Sequence, residues 1–180
     1  MNEDNIRKMT LSAVFTVLII AGSYLVVPIG VVPIVLQNMF VLMAGVMLGP
    51  LWGAVSVCAF LVLGALGLPV FSGGRGGAAH ILGPTGGYLV AYIPAVIICG
   101  VINLKKSKKI ILILFSMVSA SLVIYLIGVT WLKLTTSISW DKAVFVGMLP
   151  FLLGDALKIA VAAFMTFKLS PLLKNLGIGN

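Results

Sequence analysis

Six apolar runs divided by short breaks fill most of this chain and restrict its fold more than any other feature of the sequence. A helix that crosses a membrane uses about 20 apolar residues. The runs cover residues 10–27, 34–48, 51–68, 85–104, 110–132 and 142–169. Hydrophobic residues make up 61% of the 180 residues and charged residues 9%, which leaves little material for a soluble domain. The sequence therefore predicts a single transmembrane domain over residues 1–180, an all-α integral membrane protein with six transmembrane helices.

The basic residues predict the orientation of these helices. With the amino terminus inside, most of the twelve Lys and Arg residues fall on the inner side, including the lysine cluster at residues 105–109. Cytoplasmic loops of membrane proteins carry such an excess of positive charge. We therefore expect a multi-pass protein of the cell membrane with both termini in the cytoplasm. The net charge of +8 follows from this bias and requires no nucleic-acid partner.

An acid and a base lie three residues apart within the last apolar run, in Gly154-Asp155-Ala156-Leu157-Lys158. Positions i and i+3 share a helix face, so both side chains point at one spot. An ionisable residue at the bilayer centre costs about 2.5–3.5 kcal/mol on insertion scales and usually marks a functional site. The alternative is a self-neutralising ion pair that only positions the helix. We predict a binding site in which Asp155 accepts N–H bonds and Lys158 donates to a carbonyl or carboxylate.

The most irregular stretch of the chain contains seven glycines between Gly73 and Gly87. Glycine permits close approach of the backbone to a ligand, and non-helical backbone at membrane depth is tolerated where it lines a cavity. We therefore expect this loop to form the second half of the site, the alternative being a flexible outer connection. Its candidate binding residues are Gly73, Gly74, Arg75, Gly76 and Gly77. Arg75 either meets an anionic ligand or is simply solvated.

Single polar or aromatic side chains within the apolar runs supply further candidates. Gln37 opens the second run beside Asn38, and buried amides need partners. Gln37 therefore either contacts a ligand or bonds to a neighbouring helix or loop. Tyr125, in the fifth run, either stacks on a ligand ring or anchors the helix at the membrane interface. His80, the single histidine of the chain, is expected to be structural rather than a metal ligand.

Two other features concern the surface of the domain. Pro28 and Pro33 bracket an apolar outer loop, consistent with a lid over a ligand. Ala13, Val17 and Ala21 repeat every four residues on the first helix. Such a stripe of short side chains lets another helix approach closely in lipid, and that helix belongs either to this domain or to a partner.

The sequence lacks the patterns of the main catalytic classes. It has no Ser/His/Asp arrangement, no paired carboxylates and no metal-ligand spacing around Cys58 or Cys99. Lys105 stands where a P-loop would need glycine. We therefore predict that the chain is not an enzyme, uses no cofactor and no metal, and binds and translocates a small molecule. Any ATP-driven step then belongs to another subunit.

Four motifs resemble those of the BioY family in order and spacing. They are Pro33-Ile-Val-Leu-Gln37, Gly67-Leu-Pro-Val-Phe-Ser-Gly-Gly-Arg-Gly-Gly77, Gly83-Pro-Thr-Gly-Gly-Tyr88 and Gly154-Asp-Ala-Leu-Lys158. The members of that family are the biotin-specific S components, the substrate-binding subunits, of energy-coupling factor (ECF) vitamin transporters. The resemblance implies an ECF S-component-like fold that captures biotin from outside the cell. It also implies partners, namely a transmembrane coupling subunit and two cytoplasmic ATPases.

Carried over position by position, the resemblance implies that Asp155 and Lys158 are polar ligand contacts and that Gln37 and the loop 73–77 line the pocket. Asp155 would accept from the ureido N–H of biotin, and Lys158 would donate to one of its polar ends. Two alternatives stay open. The chain is a stand-alone ion-coupled carrier with Asp155 as proton relay, or it is an S component for another vitamin.

Overall fold

The structure, a computed structural model, describes residues 3–27, 32–104 and 109–175. Its helices are α1 (Glu3–Tyr24), α2 (Gln37–Ala65), α3 (Ala78–Leu82), α4 (Gly86–Ile102), α5 (Ile110–Thr136), α6 (Trp140–Gly147) and α7 (Leu149–Asn175). In this part of the chain the strands are β1 (Val26–Val27) and β2 (Ile34–Val35), which pair antiparallel. Residues 28–31 of the expected lid and residues 105–108 of the lysine cluster lie outside the described residues.

Helix α2 is a hairpin with two antiparallel arms. Gly49 has φ 80° and ψ −179°, a backbone conformation that favours glycine, and Pro50 follows it. A Cβ atom on Gly53 would lie 3.1 Å from the carbonyl oxygen of Ala44, although a straight helix would separate these residues by about 13.5 Å. Residues 37–48 and 50–65 therefore form separate helices that meet at the Gly49–Pro50 turn.

Four helical stretches are long and apolar enough to cross a membrane, judged by length and composition. They are α1, α2, α5 and the stretch Trp140–Pro171, which joins α6 to α7; α4 is a shorter apolar helix. With the arms of α2 counted separately, the described residues contain six helical segments longer than ten residues: α1, the two arms of α2, α4, α5 and α7. The prediction of an all-α integral membrane protein is confirmed.

The last apolar run, predicted as one transmembrane helix over residues 142–169, is divided at Met148. This residue has φ −135° and ψ −54°, and its carbonyl accepts a hydrogen bond from the Phe151 amide at 3.0 Å. Pro150 is the second residue of α7, where the missing N–H breaks no helical hydrogen bond. A new helix starting just before Pro150 therefore accommodates the proline without the clash that it would cause inside a continuous helix.

Close helix packing brings α7 against the site-bearing helices. Helix α2 packs mainly on α1 and α4, α4 also on α5, and α7 on α2, α5 and α6. Glycine makes the α2–α4 contact tight, because a Cβ on Gly45 would lie 2.5 Å from the carbonyl oxygen of Val96. Likewise, a Cβ on Gly100 would lie 2.3 Å from the nitrogen of Pro50. Asp155 and Lys158 of α7 are buried where this helix packs against the bundle.

Candidate functional site

A cavity of about 720 Å³, including the space at its open mouth, lies between α2, α4, α5, α7 and the glycine-rich loop. Its walls combine aromatic and aliphatic side chains with a few polar groups. The lining residues are Val32, Pro33, Val35, Gln37, Asn38, Ser72, Arg75, His80, Thr85, Tyr88, Leu89, Tyr92, Ile124, Tyr125, Phe151, Asp155 and Lys158. This combination suits a ligand that has an apolar body and polar ends.

Asp155 and Lys158 form a buried ion pair in the cavity wall. The Lys158 Nζ atom lies 2.8 Å from Oδ1 of Asp155, and the two side chains are only 9% and 11% exposed. Lys158 also donates to the Val35 carbonyl at 2.7 Å and to Oδ1 of Asn38 at 3.3 Å. The three N–H groups of the ammonium therefore all have partners within the protein.

The carboxylate of Asp155 is held by donors from two other helices. Its Oδ2 atom accepts from the Tyr125 hydroxyl of α5 at 2.5 Å. Its Oδ1 atom accepts from Nδ2 of Asn38, the second residue of α2, at 3.1 Å. With Lys158, these bonds use three of about four acceptor positions on the carboxylate. One position therefore remains for a donor from a ligand.

Gln37 is the clearest sign of a ligand-directed group. The residue is 1% exposed, lines the cavity, and its Nε2 atom has no hydrogen-bond partner among the described residues. A buried donor without a partner costs about 1–3 kcal/mol. A ligand acceptor in the cavity would remove this penalty.

Two tyrosines that sequence reasoning did not single out form part of the cavity wall. Tyr88 and Tyr92 both lie on α4 and are buried. The Tyr88 hydroxyl donates to the Gly147 carbonyl at 2.7 Å, and a Cβ on Gly128 would lie 2.3 Å from the Tyr88 ring. Aromatic residues within an apolar run look like ordinary core. The Gly-Gly-Tyr end of the third motif was the only signal near them.

The glycine-rich loop contributes side chains to the cavity. Ser72, Arg75 and His80 are lining residues, whereas Gly73, Gly74, Gly76 and Gly77 are not. The amide of Gly73 donates to the carbonyl of Ser23, that of Gly74 to Phe71 and that of Gly77 to Gly64. A Cβ on Gly76 would lie 2.2 Å from the carbonyl oxygen of Leu68. In this structure the glycines shape the loop, and Arg75 reaches the ligand space from it.

Phe71 anchors this loop to the helices beneath it. Its side chain is fully buried, and a Cβ on Gly64 would lie 2.0 Å from its ring. The ring meets Phe60 edge to face at 5.3 Å and stacks on His80 at 5.3 Å with an interplanar angle of 21°. The Ser23 hydroxyl at the end of α1 donates at 2.6 Å to the carbonyl of Val70, the residue that precedes Phe71. The loop is therefore fixed to both α1 and α2.

The ionisable groups at the cavity differ in their surroundings. Burial, and secondarily the charge of Arg75, lower the pKa of His80, so that its imidazole is neutral at pH 7. Among the residues that the structure describes, Arg75 makes no salt bridge. Within the same ranges, no group of three or more His, Cys, Asp and Glu side chains is arranged to hold a metal ion.

Comparison with known proteins places this architecture in a family. The BioY family model matches residues 1–175. A probable biotin transporter BioY of Pyrococcus horikoshii is 43% identical over 163 residues, which cover 91% of this chain and 96% of that protein. The biotin transporter BioY of Thermotoga maritima is 37% identical over 166 residues, with coverages of 92% and 97%.

A solved structure extends the likeness to three dimensions. The crystal structure of the S-component for biotin from an ECF-type ABC transporter superposes with a TM-score of 0.88. The two chains are 34% identical, and the match covers 94% of this chain and 93% of the other. The sequence motifs and the six-segment helical fold thus agree with the comparisons. This chain belongs to the BioY family.

Proposed function

We propose that this protein captures biotin and carries it across the cell membrane as the S component of an ECF-type transporter. The observation that carries the proposal is the cluster of Gln37, Asp155 and Lys158 at the buried wall of the cavity. Relatives that match nearly the whole chain are named biotin transporters. The 180 residues contain no nucleotide-hydrolysing motif, so the chain acts as a binding subunit and not as an enzyme.

The cluster is complementary to the ureido ring of biotin, which offers two N–H donors and one carbonyl acceptor. Asp155 accepts from a ureido N–H at the acceptor position that its three protein partners leave open. Gln37 donates to the ureido carbonyl from its Nε2 atom, which has no partner among the described residues. Lys158 reaches the ligand by giving up its longest bond, the 3.3 Å contact with Asn38.

The aromatic wall receives the apolar part of the ligand. Tyr88, Tyr92 and Phe151 line the cavity with Ile124 and Leu89. Their faces bury the thioether ring and the methylene chain, and each buried methylene contributes about 0.8 kcal/mol. Tyr125 is held by its hydrogen bond to Asp155, so its ring presents a fixed surface to the ligand.

The distribution of charge and the surface of α1 support the proposed orientation and partners. The positive-inside bias favours cytoplasmic termini, which puts the cavity on the extracellular side. Ala13, Val17 and Ala21 are exposed on α1, while the buried Ser12 and Thr16 bond to the second arm of α2. The small-residue stripe is thus free for a transmembrane coupling subunit, which would connect the chain to two cytoplasmic ATPases.

Equilibrium binding of biotin to the purified protein tests this function. We expect Gln37→Leu and Asp155→Asn each to weaken biotin binding by about tenfold or more, because a hydrogen bond to a charged or buried group is lost. Lys142→Gln, a change at an exposed cation outside the cavity, serves as control and should bind like the wild type.

Two results would contradict the proposal. The first is tighter binding of riboflavin or thiamine than of biotin, which would indicate an S component for another vitamin. The second is uptake by liposomes that contain this chain alone and are driven by a pH gradient, which would indicate a stand-alone carrier. Unchanged biotin affinity in Asp155→Asn would overturn the assigned contact.

A further inference from the structure

The end of α5 and the short helix α6 form a surface that combines a basic side chain with exposed apolar ones. Lys133 lies in the last turn of α5 and is half-buried. Trp140, the first residue of α6, is 53% exposed, and Leu134 and Phe145 of the same two helices are also exposed. Tryptophan is enriched where the hydrocarbon of a bilayer meets its headgroups, and lysines near helix ends extend towards that level. This surface therefore has the composition of a membrane interface.

The length of α7 supports the same position for α6. Near the other end of α7, the Lys168 Nζ atom lies 5.9 Å from the centre of the Phe164 ring. A helix rises about 1.5 Å per residue, so Lys168 lies about 28 Å along the axis from Leu149, where α7 begins. The hydrocarbon core of a bilayer is about 30 Å thick. With Lys168 at one headgroup level, α6 lies at the other.

The Lys133 ammonium and the Trp140 indole are held together at this level. The Lys133 Nζ atom lies 5.4 Å from the centre of the Trp140 ring. Among the residues that the structure describes, Lys133 makes no salt bridge, not even with Asp141. The indole N–H of Trp131 donates to the Gly83 carbonyl at 3.0 Å, whereas that of Trp140 has no acceptor within the same ranges. The pair therefore presents a positive charge and a separate N–H donor to the bilayer surface.

We propose that Lys133 and Trp140 bind the headgroup phosphate of an anionic phospholipid in the leaflet next to α6. The ammonium supplies charge and N–H donors, and the indole N–H donates to a second phosphate oxygen. A choline headgroup is a poorer ligand, because the Lys133 ammonium already occupies the ring that would attract the choline cation. Phe164 beside Lys168 has no N–H to donate, so that pair lacks the second contact. The proposal does not depend on which molecule the cavity binds.

Quenching of tryptophan fluorescence by brominated lipids tests this site in nanodiscs that contain the full chain. Brominated phosphatidylglycerol is compared with brominated phosphatidylcholine at the same mole fraction. The signal of Trp140 is the difference between each protein and its Trp140→Phe counterpart. We expect the wild type to prefer phosphatidylglycerol by about fivefold, the effect of one lysine beside an anionic lipid surface.

Two lysine variants show whether the preference comes from this pair. Lys133→Gln should remove most of it. Lys142→Gln removes an exposed cation of α6 and should keep the preference, because residues i and i+2 of a helix do not face each other and Lys142 therefore points away from the side of Trp140. Loss of the preference in Lys133→Gln alone, with an unchanged melting temperature, would support the site.

Three results would overturn the proposal. The first is equal quenching of the wild type by both lipids. The second is an equal loss of preference in Lys133→Gln and Lys142→Gln, because it would indicate a general attraction between lysines and anionic lipid. The third concerns the melting temperature in detergent micelles. If inorganic phosphate raises it as much as short-chain phosphatidylglycerol does, the occupant is a free anion and not a lipid.

Discussion

Removing one member of the Asp155–Lys158 pair should destabilise the ligand-free protein more than removing both. Asp155→Asn leaves the Lys158 ammonium buried among neutral acceptors only, which include the carbonyl of Val35 and the side chain of Asn38. Two unit charges 2.8 Å apart attract by about 6 kcal/mol at an effective dielectric constant of about 20. Desolvation of the same groups offsets much of this attraction.

The expected losses follow from this balance. Breaking a buried pair from one side costs about 3–5 kcal/mol, and we expect Asp155→Asn to lie in that range. Lys158→Met should lie near its lower end, because Asp155 keeps the donors Tyr125 and Asn38. The double variant has no uncompensated charge, so its loss should be smaller than that of Asp155→Asn.

The measurement is the free energy of unfolding in detergent micelles titrated with SDS, without biotin, for the wild type, both single variants and the double variant. Lys142→Met, at an exposed position of α6, controls for the loss of a lysine as such. A double-variant loss equal to the sum of the single losses would refute the coupling. An Asp155→Asn variant with the same free energy of unfolding as the wild type would refute the account of the buried charge.

Three further predictions concern the loop, the wall and the effect of pH. Gly64→Ala should displace Phe71, because the new Cβ would lie 2.0 Å from its ring; we expect a lower melting temperature and weaker biotin binding. Gly154→Ala, where a Cβ meets open space, should have neither effect. Tyr88→Phe removes a buried hydrogen bond to the carbonyl at the end of α6 and should cost about 1–2 kcal/mol in the same unfolding titration. Because the pKa of His80 is lowered in the folded state, the unfolded chain takes up a proton first as the pH falls below 6.5. The melting temperature of the wild type should therefore fall between pH 7 and pH 5, and that of His80→Gln should fall less. An equal fall in both proteins would contradict this account.

The helical membrane fold and the position of the charged pair were predictable, because both depend on local patterns. Long apolar runs with few charges indicate spanning helices, and the i, i+3 spacing puts Asp155 and Lys158 on one face. The Gly49–Pro50 turn was also visible as a pair of helix-breaking residues. The exact position of the break at Met148 was harder to predict, because Pro150 indicates a helix discontinuity only to within a few residues.

The partners of the pair could not be predicted from the sequence. Tyr125 and Asn38 reach Asp155 from helices 30 and 117 positions away in the chain, and no local pattern encodes such contacts. Nor does the sequence show that Nε2 of Gln37 has no hydrogen-bond partner among the described residues, because this depends on every side chain packed around it. The glycine loop illustrates the same limit: its composition suggested a backbone open to a ligand, whereas the amides of Gly73, Gly74 and Gly77 bond within the protein.

The anchoring of the loop has a kinetic consequence. Phe71 is buried against Gly64 and the end of α1 is bonded to Val70, so the segment that borders the cavity is ordered in the ligand-free chain. Binding then costs little of the conformational entropy that ordering a mobile loop would require. Association should proceed at an ordinary diffusive rate, and substitutions in the cavity should change mainly the residence time of the bound molecule.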